Sequence, residues 1–299
     1  MKYHGSALPL ETSCEKLFQR TTMIGFFVCN LRIPGEPDKI EISTSTGPWT
    51  LEKYAKYTDS IAAMALGQCA GTYFIEMDIQ PDDAKAETAF EELTPILLGA
   101  AYATGHSVTI CESTMGSSIK IFSPSDHWPR PRAIGQASPV VNTRDEFKNL
   151  VEHFVAVYRN DGRTEKALLL VHHWLDALAC WSLEDLYLSA TTLLQIIVAT
   201  EATLQGSDLR YYDGVTAAAN RKGIRVLSSD FRDMRNELIH DGQLIGRRFL
   251  RDKTACADVA ADVLNWFDEY LHKALGLGRV AKRRFSGQDF LSLNAYSIS

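Results

Sequence analysis

The sequence predicts an α+β amino-terminal part followed by an all-helical carboxy-terminal bundle, and three observations carry that expectation. Apolar, strand-like runs punctuated by Gly and Pro fill the first part of the chain. A Pro-rich stretch over residues 123–139 then interrupts the pattern, and beyond it apolar residues recur at helical spacing as far as Leu275. These shifts divide the chain into an α+β domain of unassigned role at residues 1–138, a helical domain at 139–277 and a basic tail at 278–299.

The elements follow in order. Residues 22–33, closed by Pro34-Gly35, read as a buried strand; 39–43 alternate like a half-exposed one, and 72–79 supply a third. Over residues 83–104 the spacing of Phe90, Leu93, Leu97 and Tyr102 predicts an amphipathic helix stopped by Gly105, with Pro95 either kinking it or marking its start. Residues 108–111 and 119–122 form a hairpin. The helical part opens at Thr143, whose hydroxyl can cap the chain while Glu146 reaches back, and Phe147, Leu150, Phe154 and Tyr158 make its stripe. A second helix spans 164–181. A third starts at Ser182, with Asp185 in the reciprocal capping position and a stripe of Leu183, Leu186, Ala190, Leu194 and Ile197. Shorter helices at 209–220 and 230–240 precede a long one at 254–275 carrying Val259, Val263, Trp266, Phe267 and Tyr270. The tail, basic at Lys282-Arg283-Arg284, is expected to be mobile.

Composition narrows the function classes. With 45% hydrophobic and 23% charged residues the chain can bury cores without metals or disulfides, and a net charge of -6 argues against coating nucleic acid by general positive charge. That average hides an asymmetry: from Arg221 onward 14 Lys and Arg face 10 Asp and Glu, a local excess of +4. The six cysteines are scattered, with no CxxC or CxxH pair to chelate zinc, and read as reduced thiols. The first residues lack the apolar core of a signal peptide and no run is long enough to read as a membrane span, so a cytoplasmic protein without membrane partners is expected.

Chemistry concentrates in residues 230–242, Asp-Phe-Arg-Asp-Met-Arg-Asn-Glu-Leu-Ile-His-Asp-Gly. Asp230 can cap this helix, Phe231, Met234 and Leu238 form its apolar face, and Gly242 suits the left-handed turn that ends it. His240 therefore sits in the last turn, where unpartnered carbonyls favour a protonated imidazole. Asn236 shares a face with His240, whereas Arg235 lies roughly 140° around an ideal helix from it, so a partner surface must help the two converge. On the preceding long helix the buried stripe runs on to Glu201. A carboxylate there needs a proton or a donor, and Arg235 or His240 from the neighbouring helix would serve.

The run Arg235-Asn236-x-x-x-His240 on the penultimate helix of a bundle, after a long apolar helix ending Ala199-Thr200-Glu201-Ala202, resembles the HEPN superfamily over residues 143–275. The resemblance implies a metal-independent, cofactor-free endoribonuclease that works as a homodimer, with the motifs of two protomers facing each other, in phage defence or as a toxin. Arg235, Asn236, His240 and Glu201 are then the catalytic set. Arg235 would hold the phosphate, His240 would move the proton of the RNA's own 2'-OH nucleophile, Asn236 would position the phosphate or the imidazole, and Glu201 would orient Arg235 or His240. Arg232, Arg247, Arg248 and Arg251 are the candidate RNA-binding residues. The alternative is a non-catalytic dimerisation or binding module for a partner protein or nucleotide. The amino-terminal domain departs from the doubly wound sensors of some members and resembles the β-rich, sensor-like domains of certain defence proteins, which leaves its ligand or trigger open. His172 and His173 point in different directions on their helix, with Asp176 at i+4 from His172 and no further acidic or Cys residue to complete a site, and His106 and His127 belong to no constellation, so none reads as a metal ligand. The five tryptophans read as core or interface anchors.

Overall fold

The computed structural model describes residues 24–79, 86–115, 118–121, 139–158, 161–180, 182–280 and 283–293. Strands β1 (Ile24–Cys29), β2 (Lys39–Ser43), β3 (Pro48–Lys53), β4 (Gly71–Met77), β5 (Thr109–Met115) and β6 (Ser118–Ile121) form one antiparallel sheet in the order β2-β3-β4-β1-β5-β6. Helix α1 (Tyr57–Ala65) joins β3 to β4, and α2 (Ala86–Thr104) joins β4 to β5. The remainder is helical: α3 (Arg144–Tyr158), the single turn α4 (Asp161–Thr164), α5 (Ala167–Leu178), α6 (Leu183–Gln205), α7 (Tyr211–Lys222), α8 (Asp230–Asp241), α9 (Lys253–Leu275) and a closing 3-10 turn at Gly287–Phe290. An antiparallel sheet followed by a mostly helical carboxy-terminal part is the division that the change of period predicts. The Pro-rich stretch lies almost wholly outside the described residues.

Strand β1 is buried from Ile24 to Cys29 and β4 from Thr72 to Met77. Ile24, Phe26 and Val28 of β1 join the main core with Tyr73, Ile75 and Met77 of β4, while Phe27 and Phe74 meet Tyr54 in a smaller aromatic cluster on the other face. Helix α2 reaches the sheet through Phe90, edge-on to Phe26 at 5.9 Å. Pro95 stands inside α2 rather than at its start. Along α3 the fit is close: a Cβ on Gly99 would stand 3.3 Å from the Phe154 ring. One apolar core runs from the sheet through α2 and α3 into the bundle.

Local chemistry decides several element ends. The Thr143 hydroxyl accepts from the Glu146 N–H at 3.1 Å, and Ser182 accepts from Asp185 at 3.0 Å, as their spacing predicts. The helix expected over 164–181 runs as α5 over Ala167–Leu178, because Lys166 adopts a left-handed conformation at φ 54° and separates it from the turn α4. The break turns Glu165 inward to an ionic cluster described below, and that gain offsets the strained backbone. Helix α6 is long and apolar enough to cross a bilayer, but here it is the bundle's central helix, with Leu186, Tyr187, Ala190, Leu194 and Ile197 fully buried. Helices α6 and α7 cross at Gly214, where a Cβ would stand 2.6 Å from Val198 Cγ1, so only glycine permits this approach.

The mobile basic tail expected after Gly276 is corrected by the structure across residues 283–293. The Arg284 side chain is fully buried, ion-paired to Asp268 at 2.9 Å, donating to the Tyr102 carbonyl at 2.9 Å, and held 4.6 Å from both the Tyr102 and Trp174 ring centroids. Asn265 of α9 accepts from the Arg284 and Phe285 N–H groups and donates to the Phe285 carbonyl at 2.8 Å. Tail, α2, α5 and α9 are thereby fastened together. A basic triplet in a sequence reads as solvated until an acidic partner on another element is known.

Candidate functional site

Helix α8 rests on the bundle through Phe231 and Met234, both buried, with Leu238 partly so. The Tyr187 hydroxyl of α6 donates to the Phe231 carbonyl, and Tyr212 of α7 stacks on the Phe231 ring at 5.8 Å. Gly242, left-handed at φ 71°, ends the helix and leaves His240 exposed in its last turn. Asp230 is not the cap that its identity suggests. Ser229 occupies that position without a side-chain hydrogen bond, and Asp230 instead faces Arg251 at 3.3 Å.

Arg235 lies half-buried with its guanidinium 4.4 Å from the Tyr211 ring centroid. Burial pushes the Tyr211 hydroxyl up, against the pull of the Arg235 charge, so the ring stays neutral and stacking is the contact that holds the cation. No carboxylate among the described residues pairs with Arg235, which leaves its N–H edges available. Asn236 is half-exposed on the same helix and His240 is exposed one turn further on. All three side chains therefore keep some solvent exposure, Arg235 and Asn236 in part and His240 the most.

Further arginines surround the helix. Arg232 lies over Tyr212 at 5.2 Å and meets Asp233 at 2.8 Å; Arg248 meets Asp241 at 3.4 Å; Arg247 is exposed. A residue that the pattern did not single out organises the loop carrying the last two. Glu237, between Asn236 and Leu238, is buried and accepts from the Arg248 N–H, folding the segment after Gly242 back onto α8. Gly246 makes room for that carboxylate: a Cβ there would stand 2.0 Å from Glu237 Oε2. A charged residue at an interior position of the helix was the signal that could have found it.

Glu201 takes a different partner from the one expected. It is completely buried, but its donor is Arg221 of α7, whose Nε lies 2.6 Å away, and not Arg235 or His240. Arg221 also clasps Glu165 through two bonds of 2.9 and 3.1 Å, and Lys222 and the Tyr270 hydroxyl each donate to Glu165 at 2.7 Å. Burial works to raise the Glu165 carboxyl, yet the Arg221, Lys222 and Tyr270 hydrogen bonds hold it at about 2. This cluster ties α6, α7, α9 and the α4–α5 break together. The sequence signalled that Glu201 needs a donor but not which one, since Arg221-Lys222 closes a helix as a surface pair does.

A cleft of about 740 Å³ opens between α9, the start of α8 and the terminal segment, lined by Asp230, Arg251, Asp258, Asp262 and Arg283 among others. Arg235, Asn236 and His240 are not among its lining residues. Comparison with family models, with curated proteins and with solved structures found no match.

Proposed function

We propose that the chain is a HEPN-like, metal-independent endoribonuclease whose site is completed when two copies bring their α8 helices together. The observation that carries this reading is Arg235: a guanidinium fixed over Tyr211, without a counter-ion among the described residues, beside a half-exposed Asn236 and an exposed His240. Arg221, Arg225 and Arg284, by contrast, are each bound to carboxylates. A pre-positioned cation with free N–H edges is suited to a phosphodiester, which supplies the missing negative charge and accepts paired hydrogen bonds.

In this scheme His240 removes the 2'-OH proton or protonates the leaving 5'-oxygen, Arg235 opposes charge building on the phosphorane, and Asn236 positions the phosphate. A single helix places Arg235 and His240 roughly 140° apart, so facing copies of α8 supply the convergence. Arg232, Arg247, Arg248 and Arg251 would follow the RNA backbone on either side. Glu201 acts on this site only through the bundle, as part of the Arg221 cluster. Cytoplasmic action, in phage defence or as a toxin, belongs to the same proposal, with the sheet-bearing part receiving the trigger.

The second reading, a non-catalytic binding module, keeps the bundle and the dimer but needs no proton transfer. The test is purified protein incubated with RNA in excess EDTA. Wild type should cleave, while His240→Ala and Arg235→Ala should each abolish cleavage and keep fold and dimer. Loss of wild-type activity in EDTA, or cleavage untouched by either substitution, would end the nuclease reading.

A further inference from the structure

Cys29 closes β1, and Cys69 lies in the segment leading into β4, two residues before the Gly71 that pairs with Cys29 across the sheet. The register slips by one between Val28 and Cys29, which draws the approach to β4 over the end of β1. Asn30 secures the arrangement. Held left-handed at φ 61°, it donates its backbone N–H to the Ala70 carbonyl at 2.9 Å, accepts the Ala70 N–H at 3.1 Å, and donates its side-chain amide to the Ser107 carbonyl at 3.1 Å. The same amide lies 3.6 Å from Cys69 Sγ. Cys29 is buried and Cys69 is exposed, and the Cys29 side chain is near enough to act on the Cys69 thiol.

We propose that Cys29 and Cys69 form a redox-active dithiol site that reacts with hydroperoxides and closes reversibly to a disulfide. The exposed member meets the oxidant and the buried member resolves it, a division of labour that the pair's unequal exposure imposes. In the first step the Cys69 thiolate attacks the peroxide O–O bond; an S–O bond forms, the O–O bond breaks, and the departing hydroxide takes a proton to become water. In the second, the Cys29 sulfur attacks the sulfenic sulfur of Cys69, an S–S bond forms, the S–O bond breaks, and hydroxide leaves with the Cys29 proton as a second water. Two thiols are oxidised and one peroxide is reduced.

Selectivity follows from the surroundings. The Cys29 side chain, aided by Asn30 and opposed by burial, brings the Cys69 thiol down to about 7, so a large fraction is thiolate at neutral pH. Burial pushes Cys180 up, and burial together with the Asp252 charge pushes Cys256 up to about 12. The inference does not depend on the nuclease reading, because no residue of α8 takes part.

The test is reduced, full-length protein exposed to sub-millimolar hydrogen peroxide, followed by intact mass and non-reducing peptide mapping. A loss of about 2 Da is expected, located to a Cys29–Cys69 peptide pair and reversed by dithiothreitol. Cys29→Ala should leave Cys69 as a sulfenic acid that dimedone captures, and Cys69→Ser should leave the mass unchanged at the same dose. The pH dependence of wild-type Cys69 alkylation, with a midpoint near neutrality, gives a readout that no variant's folding affects. Pairing through Cys14, Cys111, Cys180 or Cys256, a Cys69 that reacts no faster than Cys180, or an alkylation midpoint near that of a free thiol would overturn the proposal.

Discussion

Arg221→Met is the substitution in which the packing makes the sharpest demand. Glu201 has no exposed surface, and Arg221 is its ion-pair partner at 2.5 Å, whereas Glu165 would keep Lys222 and the Tyr270 hydroxyl. Removing the guanidinium therefore leaves one carboxylate buried and uncompensated while the other stays satisfied. Breaking a buried pair from one side costs about 3 to 5 kcal/mol, on the order of 10 °C in Tm for a chain of this size. Adding Glu201→Leu should return most of that loss, since exchanging both members for apolar groups is close to neutral. Urea and thermal melts of wild type, both single variants and the double variant complete the cycle. A single variant within about 1 kcal/mol of wild type, or losses that simply add, would refute the account of Glu201 as a structural anion held by Arg221.

Three further outcomes follow. Arg284→Ala strands the buried Asp268 and empties the space between Tyr102 and Trp174, so a loss of about 3 to 5 kcal/mol is expected with proteolysis appearing within 283–293, and Arg284→Lys should recover only part of it, lacking the planar fork. For His272, burial and then the Arg284 charge lower the imidazole to about 4, so the unfolded chain takes the proton first; the stability from burying it neutral is complete above pH 6.5 and is lost, by at most roughly 3 kcal/mol, as pH falls through 4. His272→Gln should flatten the urea midpoint across that window, leaving the acid loss below about pH 4.5 that Glu165 imposes, and parallel pH curves would contradict this. Arg247→Ala and Arg248→Ala, each measured by RNA binding against salt, should reduce the slope of log K by about 1 apiece without altering thermal stability, and unchanged slopes would remove that loop from the RNA path.

What could be read from the chain was what rests on periodicity and local chemistry. The strand runs, the Thr143 and Ser182 caps and the Gly242 stop are each decided within a few residues, and the structure matches them. Strand β3 and helix α1 escaped notice because Trp49 and Leu51 alternate over too short a run and α1 buries only Tyr57 and Ser60 among its residues. Long-range pairing was beyond the pattern. Arg284 finds Asp268 by folding back from the terminal segment, Glu165 reaches an arginine 56 positions away from between two helices, and Glu201 meets Arg221 rather than Arg235. In each case the sequence displayed the charge that needed a partner, while the fold chose it. For the site itself, Arg235, Asn236 and His240 could be placed on one helix, with His240 in its last turn, from spacing alone, but Tyr211 beneath the guanidinium and Glu237 beneath the basic loop required the packing of α7 and α8.

The chemistry of the cut ends tests the central claim most directly. RNA incubated with wild-type protein in EDTA should yield fragments ending in 2',3'-cyclic phosphate and beginning with 5'-OH, a product absent with His240→Ala, because the RNA's own hydroxyl is the nucleophile and the imidazole moves its proton. Intact RNA, or fragments carrying 5'-phosphate and 3'-OH, would contradict it.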